Sequence, residues 1–322
     1  MWLYNIQNGG DIIKKITILI PMYNEEDVIE TLYKRLNDVL DTLKHNYEFE
    51  ILFINDGSKD RTLDIIKKIK NKDNKVCYVN LSRNFGKEIA MIAGLDYSTG
   101  DAVIIIDADL QDPPELIPEM IEWWQKGYDD VYAKRRSRMG ESFMKRFTAK
   151  CYYKILKKVS KVPIQENTGD FRLLDRRCIE ALKSFRECQR YTKGMFSWIG
   201  FNKKEILFDR DARIAGTTKW NYFKLIDLAI DGITSFTITP LRISSILGLF
   251  ISCLAFLGIC IIITKTILYG EVVQGYPSTM CVILFLGGIQ LISLGILGEY
   301  IGRIFNETKN RPLYFIDEYS EK

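Results

Sequence analysis

Two long apolar runs in the C-terminal third most constrain what this chain can fold into. The first run spans Ile243 to Thr264 and the second spans Tyr276 to Gly298, and neither contains a charged residue. An α-helix needs about 20 such residues to cross the roughly 30 Å hydrocarbon core of a bilayer. The sequence therefore predicts a membrane hairpin of two helices, preceded by a larger domain of ordinary composition.

The basic residues around this hairpin predict its orientation. The connecting loop, 269–280, contains no Lys or Arg, whereas basic residues precede the first run and follow the second: Arg242, Arg303, Lys309 and Arg311. Lys265, at the far end of the first run, is expected to snorkel to the outer interface. By the positive-inside rule we expect a multi-pass protein of the inner (cytoplasmic) membrane, with both termini and the larger domain in the cytoplasm.

The first two-thirds of the chain alternate strand-like and helix-like segments. Apolar, β-rich runs occur at 15–21, 49–54, 76–81 and 102–106, and helical patterns separate them, ending near 44 and then covering about 60–71 and 85–97. Runs that are apolar on both faces are typical of a parallel sheet covered by helices. The order predicts an α/β fold with an open, doubly wound sheet.

Polar clusters follow three of these strands, where ligands bind in such sheets. They are Tyr23-Asn24-Glu25, Asn55-Asp56-Gly57-Ser58 and Asp107-Ala108-Asp109. The first strand is not followed by G-x-G-x-x-G, and no G-x-x-x-x-G-K-[ST] loop occurs. A dehydrogenase-type dinucleotide site and a phosphate loop are therefore excluded.

Asp107 and Asp109 are the sharpest chemical signal in the sequence. Two carboxylates directly after a buried strand would be costly in a dry interior, but at the strand end both can face a cleft. Hard oxygen ligands suit Mg²⁺ or Mn²⁺, which would bridge to a substrate diphosphate, and Gln111 offers a further oxygen. The alternative is a solvated acidic loop, because D-x-D alone is common.

Two other segments are candidates for contact with the bilayer surface. From Lys134 to Lys161 there are eleven basic residues and one acidic residue, Glu141, with apolar side chains at near-helical spacing. Such a helix tends to lie on an anionic membrane, although a solvated basic helix is the alternative. The segment Trp220 to Phe236 also has an apolar face, for which core packing is the alternative. Nucleic acid is not expected as a partner, since no reader motif accompanies the charge.

Cysteine and histidine usage narrows the chemistry further. The seven cysteines are scattered without a C-x-x-C pair, which argues against a zinc site or a disulfide framework. The only histidine, His45, lies in a polar stretch between a helix and a strand and is expected to be solvated. A general base would therefore be a carboxylate.

Several motifs in fixed order resemble those of one family. They are Ile20–Glu26, Asn55–Ser58, Asn84–Glu88, Asp107–Glu115, Thr168–Leu173, Arg213–Trp220, Gly298–Arg303 and Arg311-Pro312. Together they resemble the inverting GT-A glycosyltransferases of family 2, and more narrowly the dolichol-phosphate mannose synthases and bactoprenol glucosyltransferases. The two-helix tail favours the bactoprenol branch. The resemblance implies a GT-A (Rossmann-like) catalytic domain over 1–218, an interfacial amphipathic segment over 219–242, transmembrane helices within 243–304 and a cytoplasmic tail over 305–322.

The resemblance also implies roles for individual residues. Pro21, Tyr23, Glu25, Asp56 and Asp107 would bind the nucleotide, and Asp107, Asp109 and Gln111 would hold the metal. The wider superfamily often has Asp-Asp-Gly-Ser where this chain has Asn55, which puts a charged role at that position in doubt and leaves a turn-forming one.

Catalysis and phosphate binding are assigned to a second set of residues. Asp109 and Asp170 are the expected catalytic carboxylates, with Asp170 as base or as the group that orients the acceptor; a helix N-cap or a buried ion pair, for instance with Arg172, is the alternative. Guanidinium and ammonium groups suit phosphate, and a surface patch is the alternative for them. The expected phosphate ligands are Arg135, Arg136, Arg190, Arg213 and Lys219.

The implied activity is transfer of a hexose, glucose in first place, from a UDP-sugar to undecaprenyl phosphate with inversion at the anomeric carbon. UDP-N-acetylglucosamine and GDP-mannose are the alternative donors, and a homo-oligomer is possible. A different class, an inactive GT-A domain serving as a membrane scaffold, is disfavoured by the intact aspartates. A processive polysaccharide synthase normally has more membrane helices and a Q-x-x-R-W-type motif, and the sequence has neither.

Overall fold

The fold is given by a computed structural model that describes residues 13–136, 165, 168–188, 190–209, 234, 237–269 and 275–320. The chain forms two compact units. The first contains Met1–Tyr153, Val162–Tyr222 and Pro312–Lys322, and the second contains Lys154–Lys161 and Phe223–Arg311. The predicted basic helix beyond residue 136, and the segment 220–236 apart from Thr234, lie outside the described residues.

A mixed eight-stranded sheet forms the centre of the first unit. Its strands are β1 (Lys14–Met22), β2 (Tyr47–Asn55), β3 (Val76–Leu81), β4 (Ala102–Ile105), β5 (Asp130–Arg135), β6 (Thr168–Asp175), β7 (Lys203–Phe208) and β8 (Ile316–Ser320). Their order is β7-β5-β6-β4-β1-β2-β3-β8. The four inner strands β3, β2, β1 and β4 are parallel, whereas β6 and β8 run antiparallel to their neighbours β4 and β3. The predicted α/β class is confirmed.

The helices of the first unit follow the predicted alternation. They are α1 (Ile29–Leu43), α2 (Thr62–Lys70), α3 (Lys87–Tyr97), α4 (Ile117–Gln125), α5 (Arg176–Lys183) and α6 (Thr192–Trp198). The helix α1 shows why: its buried residues Ile29, Leu32, Leu36 and Leu40 recur at helical spacing and pack into the core of the sheet. All four residues of β4 are buried, as its uniformly apolar sequence predicts.

The segment after the hairpin returns to the sheet of the first unit. Residues 305–322 were expected to form a cytoplasmic tail, and β8 lies within them, paired antiparallel with β3. Before it, the backbone N–H of Ser82 donates to the carbonyl oxygen of Phe315 at 2.9 Å. The chain therefore leaves the first unit to form the hairpin and then rejoins it as an edge strand.

The second unit contains the two predicted apolar helices, each longer than its apolar run. They are α7 (Thr239–Tyr269) and α8 (Tyr276–Thr308). Both contain a stretch that is long and apolar enough to cross a membrane, Thr239–Gly258 and Phe285–Thr308, and neither stretch is buried. Large side chains such as Phe250, Phe256 and Phe285 are more than half exposed. An exposed apolar surface of this kind indicates association with a membrane.

Candidate active site

The carboxyl ends of the parallel strands bring the predicted site residues to one edge of the sheet. In the register of β1, Met22 lies opposite Asn55 of β2 and Leu19 lies opposite Ile105 of β4. Because β6 is antiparallel to β4, its beginning meets the end of β4, with Ile105 opposite Arg172. Asp170 consequently lies beside the aspartates that follow β4, although it is distant from them in the sequence.

A lysine joins two of the predicted carboxylates. The ammonium Nζ of Lys87 lies 2.7 Å from Asp107 Oδ1 and 2.6 Å from Asp170 Oδ2. The Lys87 side chain is 43% exposed, against 23% for Asp107 and 16% for Asp170, so the cluster opens to solvent on the lysine side. Burial disfavours the charged form of Asp170, but the Lys87 ammonium outweighs it and holds the pKa of Asp170 below its ordinary value.

Lys87 was not among the residues predicted for the site. It is the first residue of α3, and the motif Asn84–Glu88 that contains it follows β3 in the same way as the other polar clusters follow their strands. That position after a parallel strand was the available signal. Burial opposes the charge of Lys87, but the two carboxylates outweigh it and raise its pKa, so the lysine is a cation in this site.

The loop after β4 concentrates negative charge. The backbone N–H of Gln111 donates to Asp109 Oδ1 at 3.2 Å, and Leu110 between them has a φ of 60°. Asp112 is buried, and burial together with the charges of Asp107 and Asp109 raises its pKa to about 7. A divalent cation would relieve this repulsion, so the donor set fits one.

The protein ligands for such a cation are few. Among the described residues, no group of three or more His, Cys, Asp or Glu side chains converges as a metal site. Mg²⁺ is commonly bound by one or two carboxylates together with substrate phosphates rather than by a complete protein cage. The aspartates Asp107 and Asp109 match that pattern.

Asp56 connects the turn after β2 to the loop after β3. Its Oδ1 accepts from the N–H of Phe85 at 2.7 Å and its Oδ2 from the N–H of Gly86 at 2.9 Å. Burial raises the pKa of Asp56, and these two bonds oppose the rise. Gly57 has a φ of 64°, and a Cβ there would lie 2.4 Å from the backbone carbon of Arg83. Only glycine allows the two loops to approach so closely.

The turn after β1 is held against the turn after β2. The N–H of Asn24, whose φ is 55°, donates to Ser58 Oγ at 2.9 Å, and the N–H of Glu25 donates to Thr62 Oγ1 at 2.9 Å. Pro21 is buried, whereas Tyr23 is only partly buried. These contacts place Pro21, Tyr23 and Glu25 beside the Asp56 turn, and their part in binding a nucleoside stays a prediction.

The predicted phosphate ligands differ in their surroundings. Arg135 extends its guanidinium to Gly169, where a Cβ would lie 3.6 Å from Nη2, so it flanks Asp170. Arg136 forms an exposed ion pair with Asp209 at 3.5 Å. Arg190 is partly buried and donates to the carbonyl oxygen of Phe185 at 2.9 Å. The two remaining candidates, Arg213 and Lys219, lie outside the described residues.

Arg172 has a different partner from the one considered in the sequence. Its guanidinium lies 3.2 Å from Asp130 Oδ2, with both side chains fully buried, and 3.7 Å from the centre of the Phe196 ring. Asp170, two residues earlier on β6, pairs with Lys87 instead. Residues two apart on a strand share a face, so the difference comes from their places along β6. Arg172 lies opposite Ile105 of β4 and Tyr132 of β5, whereas Asp170 lies beyond the last paired residue of β4.

Comparison with known proteins shows the family. Residues 17–183 match the model of glycosyl transferase family 2, and residues 239–304 match the GtrB C-terminal hairpin. The chain belongs to glycosyltransferase family 2, and the resemblance read from its motifs is confirmed.

Similarity to individual relatives extends over nearly the whole chain. An uncharacterized glycosyltransferase of Synechocystis is 52% identical over 94% of this chain and 95% of its own length. The bactoprenol glucosyl transferase of Shigella phage SfX is 49% identical over 94% of this chain and 98% of its own length. Among solved structures, mannosyl-3-phosphoglycerate synthase of Rubrobacter xylanophilus aligns with 68% of this chain and 71% of its own, at 16% identity and a TM-score of 0.46.

Proposed function

We propose that this glycosyltransferase moves a hexose, glucose in first place, from a UDP-sugar to undecaprenyl phosphate at the cytoplasmic face of a membrane, inverting the anomeric centre. The observation that carries the proposal is near full-length similarity to bactoprenol glucosyl transferases in a chain whose Asp107, Asp109 and Asp170 stand at one edge of the sheet. The domain division given above, with a catalytic part over 1–218 and membrane helices within 243–304, belongs to the same proposal.

The chain supplies oxygen ligands for a divalent cation at the end of β4. Asp107 and Asp109, with Gln111, would hold Mg²⁺ or Mn²⁺ there, and the excess negative charge around Asp112 supports this assignment. When bound, the metal neutralises charge on the departing nucleotide diphosphate. Lys87, which bridges Asp107 and Asp170, keeps a second positive charge at the same place.

Asp170 acts mainly through position. A phosphate monoester has a second pKa near 6, so the acceptor is largely dianionic at neutral pH and hardly needs a base to attack the sugar. Asp170 lies 2.6 Å from the Lys87 ammonium. It thereby keeps this positive charge beside Asp107. Alignment of donor and acceptor then supplies most of the rate.

The remaining predicted residues would bind the two substrates. The turns that carry Pro21, Tyr23, Glu25 and Asp56 would receive the nucleoside. The basic side chains would receive phosphate groups: Arg135, which flanks Asp170, and Arg136, Arg190, Arg213 and Lys219.

Chain connectivity supports the orientation. Both flanks of the hairpin lead into the first unit, since β8 rejoins the sheet after α8. A pair of helices that leaves and re-enters one folded unit must cross a bilayer an even number of times. With the basic flanks Arg242 and Arg311, the positive-inside rule assigns that unit to the cytoplasm.

Transfer of radiolabelled sugar in membranes that contain the full chain tests the proposal. We expect label from UDP-glucose in a polyprenyl-phosphate product, none when divalent cations are chelated, and about 100-fold less when Asp109→Asn replaces the wild type. If only UDP-N-acetylglucosamine or only GDP-mannose gives labelled product, that nucleotide sugar replaces UDP-glucose as the assigned donor. Absence of transfer from any donor, with no binding of UDP in calorimetry with or without Mn²⁺, would favour a scaffold instead.

A further inference from the structure

The strand that follows the hairpin borders the donor side of the site. β8 pairs with β3, and Asn80 near the end of β3 lies opposite Glu318 at an irregularity in the register. On its other side, Asn80 lies opposite Asn55, the last residue of β2. The closing segment, residues 314–317, is therefore separated from the Asp56 turn by only one residue of β3.

A chain of side-chain hydrogen bonds crosses these three strands. Asn80 Nδ2 donates to Asp317 Oδ2 at 3.0 Å, and Asn55 Nδ2 donates to Asn80 Oδ1 at 2.7 Å. Asn55 is 1% exposed and Asn80 is 7% exposed, so both amides depend mainly on protein partners. Losing a partner of a buried amide costs the full desolvation of the group that is left behind.

The chain of hydrogen bonds ends at Asn55, and the backbone connects that residue to the cluster of Lys87, Asp107 and Asp170. Asn55 precedes Asp56, whose carboxylate holds the N–H groups of Phe85 and Gly86 at 2.7 and 2.9 Å. The next residue is Lys87, which contacts Asp107 and Asp170. The position of the Asn55 side chain thus influences the position of the turn that contains Asp56 and, through it, the start of α3.

A second anchor ties the closing segment to the other end of α3. Tyr314 Oη donates to Asp96 Oδ2 at 2.7 Å, and Arg186 donates to both oxygens of Asp96 at 2.8 Å. Asp96 lies in the last turn of α3, which begins with Lys87. The closing segment therefore contacts both the strand before the site and the helix that carries its lysine.

We propose that the closing segment is a positioning element of the donor site, and that Asp317, acting through Asn80 and Asn55, sets the placement of the Asp56 turn and so the affinity for the nucleotide part of the donor. The inference rests on the proposed function, because it takes a nucleotide sugar as the ligand. It gives the residues after the hairpin a part in donor binding. It gives them no part in the chemical step at Asp107 and Asp109.

Substitutions in β8 separate positioning from strand stability. Glu318 is adjacent to Asp317, but its carboxylate accepts from Lys67 Nζ at 2.5 Å and Tyr78 Oη at 2.6 Å rather than from Asn80. Glu318→Ala therefore removes two bonds of β8 that do not lead to the site, and is the matched control. Asp317→Ala removes the bond to Asn80, and Asp317→Asn restores an acceptor oxygen.

The measurement is steady-state transfer by the full chain in membranes, with KM for UDP-glucose and kcat separated, and UDP affinity by calorimetry on the purified protein. We expect Asp317→Ala to raise KM and weaken UDP binding about three- to tenfold with kcat changed less, and Asp317→Asn to recover most of the loss. Asn80→Ala, which leaves the buried Asn55 amide without its partner, should have the larger effect. Glu318→Ala should leave KM and UDP affinity unchanged.

Two results would overturn the inference while the wild type transfers sugar: Asp317→Ala with unchanged KM and UDP affinity, or equal changes in Asp317→Ala and Glu318→Ala. If Asn80→Ala does not fold, the Asp317 and Glu318 variants still decide. A wild type that binds UDP but transfers no sugar refutes the proposed function alone, and the calorimetric comparison of the variants still tests the inference.

Discussion

The first unit contains two clusters in which a basic side chain pairs with aspartate, and they differ in access to solvent. Arg172 and Asp130 pair at 3.2 Å with no exposed surface on either side chain. Lys87 pairs with Asp107 and Asp170 at similar distances, but its side chain is 43% exposed. The closed pair joins β5 to β6 and has no surface for a ligand. The carboxylates of the open cluster are accessible to a cation and its lysine to a phosphate, and this access supports its assignment as the proposed site.

Removing the carboxylate of the closed pair should produce the largest loss of stability. Asp130→Ala leaves the Arg172 guanidinium buried without its carboxylate, and breaking such a pair destabilises by about 3–5 kcal/mol. We expect a marked fall in the thermal unfolding temperature of the purified protein. Transfer per folded molecule, measured below that temperature, should stay near the wild-type value. A loss of turnover without a loss of stability would show that the closed pair also serves catalysis.

Removing a proposed metal ligand beside the open cluster should lower activity and leave stability nearly unchanged. Asp109→Asn keeps the size of the side chain but removes the anion that would hold the cation. Metal stabilisation of a leaving diphosphate is worth several kcal/mol, so kcat should fall by about 100-fold or more. The unfolding temperature should change little. Full activity of this variant in excess Mg²⁺ would contradict the metal assignment.

Glu88, which is partly buried beside the open cluster, predicts a pH dependence of stability. Burial raises its pKa from 4.5 to about 7, with the charge of Asp170 adding to the rise. A carboxyl whose pKa is raised on folding favours the fold below its unfolded pKa and loses that contribution as pH rises through the folded value. Stability should therefore fall between about pH 4.5 and 7.

Glu88→Gln removes this titration and should flatten that fall. At pH 8 the variant should be more stable than the wild type by about 1 to 2 kcal/mol, after allowance for the partial exposure of the side chain. Unfolding temperatures of both proteins across pH 4 to 8 measure the difference. If the unfolding temperature of the variant falls with pH as steeply as that of the wild type, the titrating group is not Glu88.

Asp170→Asn tests how the open cluster divides its work. The amide keeps an oxygen near Lys87, and the dianionic acceptor hardly needs a base. We expect kcat to fall about tenfold. This loss is smaller than for Asp109→Asn and smaller than the roughly 100- to 10,000-fold that a general base contributes. An equal loss in the two variants, both folded, would mean that Asp170 does more than hold the lysine.

An exposed pair sets the lower limit of the comparison. Arg35 donates to both carboxylate oxygens of Glu115, at 2.7 and 2.8 Å, with half of the glutamate exposed. Glu115→Gln should cost less than about 1 kcal/mol and leave transfer unchanged, because water screens exposed pairs. A larger loss in urea unfolding would place this pair with the closed one.

The parallel core was predictable because its signals are local. β3 was predicted at 76–81 and found at Val76–Leu81, and the runs that became β1, β2 and β4 were located within two residues at each end. Apolar runs between helical patterns are sufficient for this, since both faces of such strands are covered. The same logic placed Asp107 and Asp109 correctly after a buried strand.

What the sequence concealed depends on contacts between distant parts of the chain. β8 has the polar sequence Ile-Asp-Glu-Tyr-Ser, and only its pairing with β3 makes it a strand. Lys87 follows a glycine in an ordinary polar loop, and its importance appears only when β6 brings Asp170 beside Asp107. The sequence allows Arg172 as a partner of Asp170, because residues two apart on a strand share a face. It does not show that Arg172 lies opposite the last residue of β4 while Asp170 lies beyond it.

The return of the chain to β3 as an edge strand has a consequence for biosynthesis. The outer edge of β3 stays unpaired while the ribosome synthesises the residues between Leu81 and Ile316, which takes roughly ten to fifty seconds. On the proposed topology, α7 and α8 are made and enter the membrane during that interval. The sheet therefore gains its last strand only after both apolar helices have been made, and until then β3 is an unpaired edge of the kind that promotes aggregation.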